Sequence, residues 1–337
     1  MAKQERSSWS QLPTGEPTAR LDERAVSGAR LQRNPRGRRS SPRRDRRNPL
    51  HDGPDATLVG RLRALYHDAS KHSVYQSVPA FIARALGYQE EIHSLWRSDA
   101  PRYDYLAARL GLPAGASVAD IGANTGFFSL NLAHGRPDLR IAAYELNPRH
   151  AEFIWLTAKA FALGGVKVYS QTCALAGLDA LPVFDAVLLL NVVHHAGFDF
   201  DLDVPDDNDA FTAYARSYLA HLRAHSRRLV FQIGSNRGGD KARPLFPRDD
   251  DRGRLAWTAQ LLREAGWGID HLGYAQLDPA GAVVFRDAPD EVLAAARAGA
   301  TGAPKIGAFL DAARLDCFPG EFHRRPLVIA TAISPPS

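Results

Sequence analysis

The chain of 337 residues exceeds one average domain of about 150, and its 45% hydrophobic and 23% charged content suits a buried core, which excludes global disorder and a fibrous repeat. The formal charge of +5 is uneven: residues 1–48 hold 13 Lys and Arg against 5 Asp and Glu, leaving the remainder slightly acidic at about −3, so the body itself is not basic, which disfavours a polyanionic substrate. Two distant cysteines, Cys173 and Cys317, exclude a disulfide framework and a cysteine-built zinc site, and no apolar run approaches the roughly 20 residues of a membrane span.

Residues 1–55 are rich in Arg, Ser, Pro and Gly without hydrophobic periodicity, and are expected to form a disordered basic tail. Such a tail reads either as an electrostatic arm for RNA or as a dispensable extension. No apolar segment follows its charges, so a secretory signal is not supported and a cytoplasmic, soluble, membrane-free protein is expected.

From residue 56 to 112 the spacing of Leu58, Leu62, Leu65 and Tyr66, then of Val78, Phe81, Ile82 and Leu86, predicts amphipathic helices that form a lead-in. Residues 113–335 then form the main domain, where short β-rich runs alternate with helical stretches. Strands are predicted at Ser117–Ile121, Arg140–Glu145, Val166–Ser170, Ala186–Asn191 and Arg228–Ile233, with helices at Phe127–Ala133, His150–Leu163 and Asp207–Ala224. This alternation predicts an α/β fold with a doubly wound, Rossmann-like parallel sheet and a ligand at the carboxyl ends of its strands. A helix at Arg254–Ala265 and closing strands at Ile269–Leu277 and Pro326–Ala332 follow. Residues 280–325 read as an insertion with one helix near Asp290–Ala298.

The informative segment is Asp120-Ile-Gly-Ala-Asn-Thr-Gly126, a strand end followed by a glycine turn and a helix. Gly122 and Gly126 let the backbone turn sharply and approach a ligand. Asp120 can accept from a cationic ligand or brace the loop, and an acid here disfavours a pyrophosphate. The second strand ends at Glu145, whose carboxylate suits a ribose diol. Together they describe a site for a nucleoside that carries positive charge and no phosphate, which is S-adenosylmethionine.

These residues, with Phe184-Asp-Ala-Val-Leu-Leu-Leu-Asn191, resemble the first, second and fourth motifs of class I S-adenosylmethionine-dependent methyltransferases. Asn124 departs from the glycine more usual there. The resemblance implies a methyltransferase whose cofactor is held by Asp120, Gly122, Asn124, Gly126, Glu145 and Asn191.

His194 and His195 follow the fourth strand, where the resemblance puts the transferable methyl group. An imidazole can take the proton of an attacking hydroxyl, and adjacent residues of a strand face opposite ways, so one of the pair, preferably His195, is expected to meet substrate. No metal is expected: no carboxylate at ligand spacing accompanies the pair, and the run Asp199, Asp201, Asp203, Asp206 and Asp207 reads as a solvated loop. A distant similarity to tRNA wobble-uridine carboxymethyltransferases spans Leu95-Trp-Arg-Ser-Asp99, Trp257 and His323-Arg-Arg-Pro-Leu-Val-Ile-Ala330. It implies that Arg97, Arg324 and Arg325 hold a carboxylate of substrate or cofactor. The expected acceptor is a hydroxyl, or another nucleophile, of a small molecule or sugar. The alternatives are a tRNA-modifying enzyme and a nucleoside-binding regulator without turnover. Oligomeric state is left open.

Overall fold

The computed structural model describes residues 57–87, 92, 97–247 and 250–333. The expected basic tail and Leu95 and Trp96 lie outside the described residues. Helices α1 (Leu58–Tyr66) and α2 (Ala80–Leu86) make the lead-in, and α3 (Asp99–Arg109) brings the chain to the sheet. Then come β1 (Ser117–Ile121), α4 (Phe127–Gly135), β2 (Arg140–Tyr144), α5 (Pro148–Ala160), β3 (Val166–Tyr169), β4 (Ala186–Leu190), α6 (Asn208–His225) and β5 (Arg228–Gln232). The remainder is α7 (Asp251–Glu264), β6 (Trp267–Leu277), β7 (Val283–Asp287), α8 (Asp290–Arg297), α9 (Pro304–Ala313) and β8 (Leu327–Ala332).

The eight strands form one sheet in the order β3-β2-β1-β4-β5-β8-β6-β7. The first five are parallel, with Val118 paired to Ile141 on one side and Ala186 on the other. All five residues of β1 are buried, the pattern of a strand covered on both faces. The chain runs outward from β1 to β3 in one direction and from β4 to β5 in the other. A crevice therefore opens between β1 and β4 at their carboxyl ends, where an open α/β sheet places its ligand. The fold is the α/β, Rossmann-like sheet read from the sequence.

Two features differ from that reading. Strand β8 inserts antiparallel between β5 and β6, so the last strand closes the middle of the sheet. Residues 280–325 contain β7, which extends the sheet antiparallel to β6, and both α8 and α9. Their short, Ala- and Gly-interrupted sequence hides the second helix and the edge strand from periodicity alone.

Local chemistry sets the helix starts. The Asn147 side chain accepts from Arg149 N ahead of Pro148, Asp207 accepts from Ala210 N, and Asp250 accepts from Gly253 N. The lead-in is held by its apolar stripe: Leu62, Leu65 and Tyr66 of α1 pack with Phe153, Ile154 and Ala158 of α5 in a cluster separate from the main core. Tyr66 Oη donates to Gln76 O at 2.6 Å, which fixes the link that returns across the crevice. Among the described residues, no helix is long and apolar enough to cross a membrane.

Candidate functional site

A cavity of about 460 Å³ lies at the carboxyl ends of β1, β2 and β4, with Gly122, Asn124, Glu145, Asn191, His195 and Asp199 on its wall. Gly122, Asn124 and Gly126 all adopt positive φ, of 71°, 55° and 79°. A Cβ at Gly122 would sit 2.6 Å from Val192 Cγ2, and one at Gly126 would sit 2.7 Å from Ile154 Cγ1, so both positions exclude a side chain by conformation and by contact. Asn124 tolerates the left-handed region because its own Oδ1 accepts from Thr125 N at 2.8 Å while its Nδ2 donates to His72 O at 3.1 Å.

Glu145 is buried and tied to the turn. Asn124 N donates to Oε2 at 2.7 Å and Asn147 N donates to Oε1 at 2.8 Å, which leaves each oxygen further acceptor capacity toward the cavity. Burial raises its pKa, and the two amides oppose that rise. Asp120 behaves differently. Its Oδ2 accepts from Ser129 Oγ at 2.7 Å, so it braces the start of α4 and is not part of the cavity wall. Of the two roles open to Asp120 in the sequence, the structure shows the bracing one; desolvation pushes its pKa up to about 6. Gly126 likewise shapes the turn without lining the cavity.

Asn191, at φ 60°, has both ends of its side-chain amide engaged: Nδ2 donates to Gln232 Oε1 at 3.0 Å and Oδ1 accepts from Arg325 Nη1 at 2.9 Å. Gln232 Oε1 also accepts from Arg102 Nη1 at 2.8 Å, which links the site to a buried ionic group on the start of α3. There Asp99, 1% exposed, pairs with Arg97 and Arg102 and accepts from Ser77 N at 2.7 Å. Burial lowers the Arg102 pKa to about 10 although Asp99 supports its charge. The Arg97 guanidinium lies 3.5 Å from the Tyr75 ring centre and 4.7 Å from that of Phe322, with its buried Nη1 lacking a hydrogen-bond partner.

The three arginines expected to act together are separated by the fold. Arg97 lines the cavity. Arg325 is spent on Asn191 and Glu321. Arg324 turns away and forks onto Asp251 of α7, with Nε to Oδ1 at 3.0 Å and Nη2 to Oδ2 at 2.7 Å, so it is not a ligand group of this cavity. Arg324 ends the 3₁₀ turn Glu321–Arg324 and Arg325 is the extended residue that follows it, so the two side chains diverge.

His194 and His195 also depart from the strand expectation. They occupy a 3₁₀ turn, Val193–His195, with ring centroids 4.2 Å apart. His194 is buried, and its Nδ1 accepts from Gly234 N at 3.3 Å; it does not reach the cavity wall. Burial, reinforced by the charges of His195 and Arg325, holds it well below the ordinary imidazole pKa. His195 does reach the wall, where its pKa is lowered by burial against the opposing pull of Asp199.

The solvated loop expected around Asp199 is partly a site. Asp199 Oδ2 lies 2.9 Å from His195 Nδ1 and 3.3 Å from His72 Nε2, and Oδ1 lies 2.6 Å from Lys71 Nζ. Burial raises its pKa, but His195, His72 and Lys71 together hold it well below the usual carboxylate range. His195 and Asp199 meet because Asp199 N bonds back to His195 O at 2.9 Å, closing one turn. Lys71, His72, Tyr75 and Gln76 come from the lead-in and carry no sequence signal that pairs them with residues more than a hundred positions away. Gln76 Oε1 accepts from Phe127 N at 3.1 Å, which ties the lead-in to the first residue of α4.

No family model matches the chain. Over 77 residues it is 38% identical to the ribosomal RNA small subunit methyltransferase G of Sorangium cellulosum (strain So ce56), a stretch that covers 23% of this chain and 32% of that protein. The chain thus spans about a third of the length of this curated relative. Among solved structures it is similar to precorrin-6y C5,15-methyltransferase from Geobacter metallireducens GS-15, at 16% identity and a TM-score of 0.40, covering 73% of this chain and 93% of that one. It is also similar to magnesium protoporphyrin IX methyltransferase from Synechocystis PCC 6803 with bound SAM, at 14% identity and a TM-score of 0.41, covering 87% and 100%.

Proposed function

We propose that the chain is an S-adenosylmethionine-dependent methyltransferase that acts on a hydroxyl of a small molecule or sugar. The observation that carries this reading is Glu145: a buried carboxylate, fixed by the amides of Asn124 and Asn147, on the wall of a cavity at the sheet's switch point and beside a positive-φ glycine turn. A carboxylate with acceptor capacity left on both oxygens matches two adjacent ribose hydroxyls. Gly122, Asn124 and Glu145 are the residues that would hold the cofactor, which when bound supplies an activated methyl group. The curated relative's name, a methyltransferase, agrees with this assignment.

The acceptor end of the cavity is the wall formed by His72, His195 and Asp199, with Arg97 on the same cavity. Methyl transfer is chiefly a matter of positioning, and the wall contributes a route by which the hydroxyl proton can leave. Arg97 gives that end a cation able to hold an anionic part of the acceptor. Calorimetry with S-adenosylmethionine, its demethylated product and NAD tests the reading: micromolar affinity for the first two and none for NAD is expected, and binding of NAD alone overturns it.

A second reading, modification of RNA, is favoured by the 77-residue match to an RNA methyltransferase and by the Arg-rich residues 1–48. Transfer of labelled methyl from the cofactor to RNA rather than to small-molecule fractions of a cell extract separates the two. Deletion of residues 1–55 should lower RNA affinity and flatten its salt dependence only if the RNA reading holds.

A further inference from the structure

We propose that His72, His195 and Asp199 form a binding site for a divalent transition-metal ion, with its open coordination positions facing the acceptor end of the cavity. Among the described residues this is the one group whose His, Cys, Asp or Glu ligand atoms converge, all within 4.8 Å of one another. The Asp199 Oδ2 separations of 2.9 Å to His195 Nδ1 and 3.3 Å to His72 Nε2 are those of ligand atoms sharing one ion at bonds of about 2.0–2.2 Å.

Alignment distinguishes the two imidazoles: His72 Nε2 has hydrogen-bond geometry to Asp199 Oδ2 at 3.3 Å, whereas His195 Nδ1 does not. His195 Nδ1 is buried and 2.9 Å from Asp199 Oδ2, yet it has no hydrogen-bond partner there. A hydrogen-bonded relay through His195 needs that N–H aimed at the oxygen, whereas two lone pairs that converge on a third point need not aim at each other. Asp199 also divides its oxygens suitably: Oδ2 faces both imidazoles, while Oδ1 is held by Lys71 Nζ at 2.6 Å, the kind of outer partner that orients a ligating carboxylate. The three residues come from the lead-in and from the turn after β4, so the site forms only when the lead-in is docked.

Two imidazoles and one carboxylate suit borderline ions such as Zn²⁺, Co²⁺, Fe²⁺ or Mn²⁺, with positions left for oxygen ligands. The ion's task depends on the methyl-transfer reading above: it would bind the acceptor hydroxyl oxygen and ease loss of its proton to solvent, while the oxygen attacks the methyl carbon and the carbon–sulfur bond breaks. The binding claim itself does not depend on that reading.

The test is a titration of the full chain with Co²⁺ alone, followed by visible absorption and calorimetry. One equivalent should bind with a d–d spectrum, and His72→Ala and Asp199→Asn should each weaken binding by at least about a hundredfold. Absence of stoichiometric binding, or binding unchanged in either variant, overturns the proposal. Should a variant fail to fold, the unmutated protein decides: paramagnetically shifted ring protons from two histidines support the site, and shifts from none or one overturn it. S-adenosylmethionine calorimetry without metal reports on the methyltransferase reading separately, so failure of either claim is recognised without the other.

Discussion

Asn124 and Glu145 are joined across the glycine turn, with the Asn124 amide donating to Glu145 Oε2 at 2.7 Å. The acid expected to meet a ribose therefore also holds the loop that would approach the same ligand. Glu145→Ala should lower affinity for S-adenosylmethionine by about 1–3 kcal/mol and also lower Tm, because two backbone amides lose their charged acceptor. Glu145→Gln, which keeps one acceptor oxygen, should recover part of the Tm but less of the affinity. Calorimetry and thermal melts of both variants check this, and parental affinity in Glu145→Ala would remove the ribose assignment.

Asp120 predicts a pH effect on stability. Its folded pKa is raised from 3.8 to about 6 by desolvation. A raised folded pKa means that the contribution of the protonated acid is fully present below about 3.8 and is lost as pH climbs through 6. The loss is about 3 kcal/mol. Asp120→Asn keeps an acceptor for Ser129 Oγ and does not ionise, so the variant should gain on the parent across this window. Urea unfolding at a series of pH values should show the difference rising between pH 4 and 6.5; a flat difference would mean that the Asp120 site is better solvated than its burial indicates.

The parts of this site that the sequence reveals are local in the chain. The strand, the glycine turn and Glu145 announce themselves because hydrophobic runs, positive-φ residues and the end of the next strand follow one another within one βαβ unit. The group around Asp199 was not legible, because His72 and His195 are brought together by packing of α1 on α5 and not by any spacing. Arg324 and Arg325 show the converse: adjacency in sequence suggests a shared role, and the change from turn to extended backbone between them sends one to Asp251 and the other to Asn191. The place of β8 between β5 and β6 was hidden for the same reason, since strand order is decided by which edge remains open and not by pattern.

The buried ionic group at the start of α3 gives a test of structure against binding. Asp99→Asn would leave Arg97 and Arg102, 6% and 2% exposed, facing a neutral amide. Removal of one partner from a buried charge group costs about 3–5 kcal/mol, so this variant should be strongly destabilised in urea. Arg324→Ala, by contrast, removes a pair that does not line the cavity and should leave cofactor affinity within error of the parent. Loss of cofactor affinity in Arg324→Ala would restore that arginine to the site.

The two histidines should separate cleanly by assay. His194 is enclosed, with its ring so close to Gly234 that a Cβ there would lie 2.3 Å from Nε2. His194→Ala should therefore lower Tm through a cavity and an unpartnered Gly234 amide, and Gly234→Ala should do the same by displacing the ring. His195 stands on the cavity wall beside Asp199, and its replacement by Ala should leave the fold and cofactor affinity nearly unchanged while turnover falls by about 10²- to 10⁴-fold. His72→Ala should follow His195→Ala in this, since both face the same carboxylate oxygen. The measurement is turnover of an acceptor found by labelled-methyl transfer, set beside melts of the same proteins. Turnover within about tenfold of the parent in both His72→Ala and His195→Ala would reduce the group to packing and leave catalysis to positioning alone.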